Sequence, residues 1–167
     1  MIGLVAISLL VRWLLGWVLC LRLSRLPEHR LQGQPRVSVL IPARNEEGTL
    51  PNLLPALRGQ RFQPLEVIVI DDHSSDRTAA IAAAAGVTVL QPPPLPEGWC
   101  GKTWALHNGA RACQGDLFVF LDADTVAAPG LARSLLAHAQ ARQLDAVSLF
   151  PFNELPTLGE RLGLPAF

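Results

Sequence analysis

Three short apolar runs each break into a polar cluster, and this repeated break constrains the fold more than any other feature. Residues 37–41 (VSVLI) lead into Pro42-Ala43-Arg44-Asn45-Glu46-Glu47. Residues 66–70 (EVIVI) lead into Asp71-Asp72-His73-Ser74-Ser75-Asp76, and residues 117–121 (LFVFL) into Asp122-Ala123-Asp124. Each run is rich in β-branched or aromatic residues and too short for a buried helix, so each reads as a buried strand. Helical signals fall between them. Thr49 can cap a helix that runs to about Arg58, holds Pro55 inside and stops at Gly59. Asp76 or Ser75 can cap an alanine-rich helix to Ala85, with Gly86 as its stop. A further strand over 87–90 precedes a loop with Pro92, Pro93, Pro94 and Pro96. Helical spacing returns over 102–113 and about 129–142, and a last strand is expected over 146–150. Strands alternating with helices predict an α/β, Rossmann-like, mainly parallel sheet with helices on both faces. In such sheets ligands bind beyond the C-terminal strand ends, which is where the three polar clusters fall.

The 167 residues suffice for one domain with a sizeable core. Formal net charge is zero and there is no long basic run, which argues against nucleic acid as a partner. Three cysteines, an odd number without metal-ligand spacing, argue against a disulfide framework and fit a reducing compartment. Half of the residues are apolar and mean hydropathy is +0.29, high for a soluble domain. Much of the excess lies in residues 1–21, MIGLVAISLLVRWLLGWVLCL, a stretch of spanning length. Arg12 near its centre costs roughly 2.5–3.5 kcal/mol on insertion scales. The Leu, Ile and Val residues around it return about 0.3–0.6 kcal/mol each, roughly 4–7 in total, so insertion wins. A cleaved signal peptide fits less well, because a basic n-region and a small-residue cleavage site are both missing. Arg22, Arg25 and Arg30 follow directly and place the C-terminal flank on the cytoplasmic side. The expected layout is a transmembrane anchor over 1–21, a basic and polar linker over 22–36, a binding domain over 37–151 and the start of a further part over 152–167. It places the chain in the inner membrane with its sheet in the cytoplasm.

Asp122 and Asp124 are two residues apart, so on an extended chain both carboxylates point the same way. Two carboxylates held together repel unless a cation or hydrogen-bond donors compensate them. Hard oxygen ligands suit Mg²⁺ or Mn²⁺, and Mg²⁺ commonly combines one or two carboxylates with substrate phosphates. Taken singly, each cluster also reads as a solvated turn or a helix cap. Their joint occurrence at successive strand ends favours a binding site.

The four segments VSVLIPARNEE, VIVIDDHSSDRT, GWCGKTWALHNGA and FLDADT resemble those of the family 2 glycosyltransferases, whose catalytic domain has the GT-A fold. Order and spacing match over about residues 36–151. The Gly98-Trp99-Cys100-Gly101-Lys102 version resembles the membrane-anchored subgroup associated with hopanoid and carotenoid glycosylation. The resemblance implies a nucleotide-sugar donor of the UDP-sugar type, a lipid-type acceptor (isoprenoid- or hopanoid-like) and Mn²⁺ or Mg²⁺. It implies Asp124 as main metal ligand, with Asp122 helping to hold metal and ribose. It places Pro42 and Arg44 in the donor site, Arg44 standing where many relatives have an aromatic. Glu46 matches the ribose contact, Asp72 with Asp71 behind it faces the base, and Lys102 lies near the donor phosphates. Trp99 and Trp104 read better as packing than as pocket lining, and His73 and His107 as polar neighbours rather than ligands. Asn108, nearly two helical turns after Lys102, can face the same site.

The family's catalytic base sits in a Glu-Asp pair well downstream of Asp-x-Asp, and Glu154 and Glu160 do not reproduce that context. The base is therefore expected beyond residue 167, and the chain reads as a donor-binding portion, expected to be inactive alone. Two other readings stay open here. VIVIDDHSSD is similar to the acidic pair of a phospho-acceptor receiver domain, although no lysine follows Lys102. A non-catalytic, membrane-anchored nucleotide-binding module is the other.

Overall fold

In the computed structural model residues 2–21 and 29–149 are described, with side chains described for 7–16 and 29–149. Helix α1 (Ile2–Leu21) belongs to one compact unit and Glu28–Val147 form another. Among the described residues no helix is long and apolar enough to cross a membrane. The anchor expected over residues 1–21 thus stands on the sequence.

The second unit is built on a four-stranded sheet of β1 (Val37–Ala43), β2 (Glu66–Asp71), β3 (Thr88–Leu90) and β4 (Leu117–Phe120), in the order β3-β2-β1-β4. All three ladders are parallel, as alternating strands and helices require. Central β1 is buried on both faces and its side chains alternate between two cores. Val37, Val39 and Ile41 pack with the leucines of α2 (Leu50–Arg58), Ala82 of α3 (Thr78–Ala84) and Leu136 of α5 (Leu131–Arg142). Leu40 turns the other way, onto Ile68, Ile70 and Ala105 of α4 (Gly101–Ala112). Helices thus cover both faces, as expected. At Gly109 an added Cβ would lie 2.8 Å from Ile70 Cδ1, so α4 can sit this close to the sheet only with glycine there.

Pro42 lies inside central β1, where proline is normally excluded. The carbonyl of Ala43 accepts from Asp72 on the β2 side, while that of Leu40 accepts from Leu121 on the β4 side. In a parallel strand alternate residues face alternate neighbours, so Pro42 faces β4. Pairing with β4 ends at Leu40↔Phe120, and the missing donor costs no ladder bond.

Helix boundaries fall within a residue or two of expectation, with three corrections. Thr49 precedes α2 but makes no side-chain capping bond; its hydroxyl donates to Glu46 instead. The run at 117–121 was expected to be fully buried, yet only Val119 of β4 is. Leu117, Phe118 and Phe120 are more than 40% exposed because, among the described residues, β4 has β1 as its one strand neighbour and lies at the sheet edge. The strand expected over 146–150 is not formed at 146–149, where no described strand offers a ladder, and residue 150 lies outside the described residues.

The end of the sheet opposite the polar clusters is held by a buried polar lock. Ser38, wholly buried on β1, donates to Glu66 Oε1 at 2.6 Å and accepts from the Gly115 N–H at 2.9 Å. Burial works against the Glu66 charge, but bonds from Gln114, Ser38 and Gly115 and the nearby Arg36 charge outweigh it, and the carboxyl is held below its ordinary range.

Candidate functional site

The loops leaving β1, β2 and β4 meet the first turn of α4 in one open cleft. It is lined by Pro42, Ala43, Arg44, Glu46, Asp72, Lys102, Ala105, Asp122, Ala123 and Asp124. Seven of the eight residues singled out in the sequence therefore converge. Asp71 is the exception. Consecutive residues at a strand end point to opposite sides, so when Asp72 faces the cleft its neighbour turns inward. Asp71 is buried, and its carboxylate accepts the Ser74 N–H at 3.2 Å, closing the turn after β2.

Asp122 and Asp124 follow the end of β4, on a turn closed by Thr125, whose N–H and hydroxyl donate to the Asp122 carbonyl at 3.1 and 2.7 Å. Ala123 between them is buried while both aspartates are exposed, so the alternation expected of a strand carries on past its end. Lys102, in the first turn of α4, reaches Asp122 Oδ1 at 2.6 Å. A cation at a helix N-terminus faces an unfavourable dipole, and the aspartate offsets it. Arg44 stands 3.7 Å from Asp72 Oδ2, and His73 Nδ1 lies 3.6 Å from Asp72 Oδ1.

Charge decides what the cleft can hold. Four carboxylates (Glu46, Asp72, Asp122, Asp124) line it against two cations, Arg44 and Lys102. A diphosphate brought into that field would be repelled unless a divalent cation came with it. Among the described residues no three His, Cys, Asp or Glu side chains are grouped to hold a metal by themselves. The donor set therefore fits a hard cation that completes its shell with phosphate oxygens and water.

Two loops keep this geometry, through residues that the sequence reading took for helix caps (Ser75 and Asp76) or left without a role. Asn45 Oδ1 accepts from the Ser75 N–H and hydroxyl at 2.8 and 3.2 Å, and the Asn45 N–H donates to Ser74 Oγ at 3.0 Å. The Glu46 N–H donates to Thr78 Oγ1 at 2.8 Å, and that of Glu47 to Asp76 Oδ2 at 3.1 Å. The β1–α2 and β2–α3 loops are thereby stitched together, fixing Arg44 and Glu46 relative to Asp72. Asn45 (φ 57°) and His73 (φ 55°) adopt the left-handed region, where Asn is better tolerated than most residues. An Asn and a Ser/Asp/Thr cluster at neighbouring strand ends were the available signal.

Other expectations resolve differently. Asn108 does not line the cleft; six residues turn the helix by about 240°, away from Lys102, and its amide donates to the Trp104 carbonyl at 2.8 Å. Trp99, Trp104 and His107 pack on one another with ring centroids 5.0–5.6 Å apart, and Trp104 Nε1 donates to the Pro93 carbonyl at 2.8 Å. The tryptophans pin the proline-rich loop to α4 and lie outside the cleft lining.

The glycosyl transferase family 2 model matches residues 38–160, which contain every residue of the cleft. The chain belongs to glycosyl transferase family 2. Among curated members it is 41% identical over 109 residues to a 4,4'-diaponeurosporenoate glycosyltransferase of Staphylococcus haemolyticus, covering 64% of this chain and 29% of that protein. The Staphylococcus aureus (strain MRSA252) protein of the same name is 37% identical over 89 residues, covering 53% and 24%. The chain thus spans less than a third of these relatives. Glucosyl-3-phosphoglycerate synthase of Mycobacterium tuberculosis, solved with Mn²⁺, UDP and glucosyl-3-phosphoglycerate, matches with TM-score 0.50 and 31% identity over 57% of this chain and 36% of that one. The parallel α/β sheet of this family 2 member resembles that neighbour.

Proposed function

We propose that this chain is the donor-binding part of a metal-assisted glycosyltransferase that moves a sugar from a UDP-sugar to a lipid-type acceptor. The observation that carries it is the convergence of four carboxylates and two cations at the C-terminal ends of β1, β2 and β4. The structural neighbour's complex with Mn²⁺ and UDP supports a UDP-linked donor with a divalent ion, and the relatives' names support a carotenoid-like lipid acid as acceptor.

In this reading Asp124 and Asp122 hold Mn²⁺ or Mg²⁺. Bound there, the ion supplies Lewis-acid stabilisation of a departing diphosphate. Asp72 accepts the base N–H, Arg44 lays its planar guanidinium against the base, and Glu46 accepts from ribose hydroxyls. Glu46 is already oriented by the Thr49 hydroxyl, 2.5 Å from Oε2. Lys102 adds positive charge near the phosphates. We assign the donor half of the reaction to these residues; acceptor activation needs, in addition, a base within reach of the attacking group.

We further place the chain at the inner membrane, anchored by residues 1–21 with the sheet in the cytoplasm. The exposed apolar side chains of Ile7, Leu9, Leu10, Val11, Leu14 and Leu15 along α1, each 48–61% exposed, are compatible with that anchor, which otherwise rests on the sequence. The donor reading is tested by equilibrium dialysis of the detergent-solubilised chain against UDP, ADP and GDP with Mn²⁺. UDP is expected to bind best; equal binding of all three, or of none, would contradict it.

A further inference from the structure

Lys102 and Asp122 meet inside the proposed donor site. Lys102 Nζ lies 2.6 Å from Asp122 Oδ1, on one of the two carboxylates that would receive the metal, and it is the only lysine in the chain. Both side chains are more than half exposed, so the pair is not locked by burial. The ammonium sits on the flexible four-carbon stem of a lysine, which can move to a new partner within the same cleft without moving the backbone. Its backbone, by contrast, is fixed by α4, whose Ala105 is wholly buried against the sheet.

We infer that Lys102 acts as a tethered counter-ion that occupies the Asp122 side of the metal site until a diphosphate arrives, making metal and donor bind as a pair. With the cleft empty of phosphate, Lys102 neutralises Asp122 and its positive charge repels an incoming divalent cation. A diphosphate offers Lys102 a more strongly charged partner. When the ammonium moves to it, Asp122 is freed and the local field turns favourable for the metal. Each ligand thus removes the obstacle to the other, which is thermodynamic coupling through one side chain with two discrete partners.

This rests on the donor reading and deepens it, and a single set of titrations separates the two. Mn²⁺ binding to the full chain in detergent is followed by electron paramagnetic resonance, without UDP and with saturating UDP, and UDP binding is followed with and without Mn²⁺. For the wild type, UDP should tighten Mn²⁺ at least tenfold. Lys102→Met should move the two arms in opposite directions. Mn²⁺ alone should bind roughly two- to fivefold tighter, the modest gain expected for removing an exposed charge. UDP in the presence of Mn²⁺ should bind more weakly, so the coupling shrinks. Lys102→Arg, which keeps the charge, should leave Mn²⁺ alone as weak as in the wild type, and circular dichroism controls for folding of both variants. If Lys102→Met leaves Mn²⁺ affinity unchanged or lowers it while the wild type binds Mn²⁺ and UDP together, the counter-ion role is wrong and the donor site stands. If the wild type binds no Mn²⁺–UDP at all, the donor reading fails and the inference falls with it.

Discussion

Replacing Gly101 with alanine isolates one contact of the cleft from the fold that carries it. A Cβ on Gly101 would lie 2.7 Å from Asp72 Oδ2 and 3.7 Å from its Cγ. The carboxylate has to withdraw by roughly 0.7 Å or more to reach an ordinary van der Waals separation. It can do so cheaply, since only the end of a side chain moves, and an alanine in the first turn of α4 gains up to about 1 kcal/mol over glycine. Stability should therefore hold or rise slightly. Function should not, because a displacement of that size breaks the charge-assisted hydrogen bond that the proposed site has the base N–H donate to Asp72. Such a bond is worth about 1.5–3 kcal/mol, or roughly ten- to a hundredfold in Kd. Isothermal titration of UDP in Mn²⁺ measures the loss, and differential scanning fluorimetry the stability. Asp72→Asn should lose a similar amount, and the double variant little more than either single change, because both act on the same bond. If Gly101→Ala binds UDP like the wild type while Asp72→Asn does not, the carboxylate does not work from the position described. If the two losses add, they act on different groups.

Three further outcomes follow from the fold and the topology. Gly115→Ala would set a Cβ 2.5 Å from Ser38 Oγ and 2.6 Å from its backbone N, where nothing can move aside, so it should destabilise by about 1–3 kcal/mol and lower the Tm accordingly. Glu66, held below the ordinary carboxyl range, contributes stability that is complete above its unfolded pKa and is lost as pH falls through its lower folded pKa; urea midpoints should therefore fall more steeply below about pH 4.5 in the wild type than in Glu66→Gln. A topology reporter fused after Leu31 should be active only in its cytoplasmic form, and periplasmic activity would reverse the proposed orientation.

The strands and the cleft were legible because two local signals coincide in this chain. β-Branched runs mark β1 and β2, and each is followed at once by the charged residues that a parallel sheet brings to one edge. Burial of β4 was not legible: LFVFL has the composition of a central strand, and only pairing order shows that it lies at the edge with Phe118 and Phe120 exposed. Asp71 and Asp72 look equivalent in sequence, although period-two alternation already separates them. The roles of Asn45, Ser74 and Ser75 depend on two loops meeting some 30 residues apart in sequence, a contact that no local pattern encodes. The pairing of Lys102 with Asp122 is of the same kind. Spacing could place each near the cleft but not in contact.

The central claim is that the carboxylates beyond β4 serve a divalent ion that carries a nucleoside diphosphate. Titrating UDP into the full chain with Mn²⁺, then repeating with chelator and with Asp124→Asn, tests it most directly. The account predicts saturable binding with Mn²⁺, loss of most of that affinity in chelator, and a similar loss in Asp124→Asn with its circular dichroism spectrum unchanged. Equal UDP affinity in chelator, or wild-type affinity in a folded Asp124→Asn chain, would contradict it.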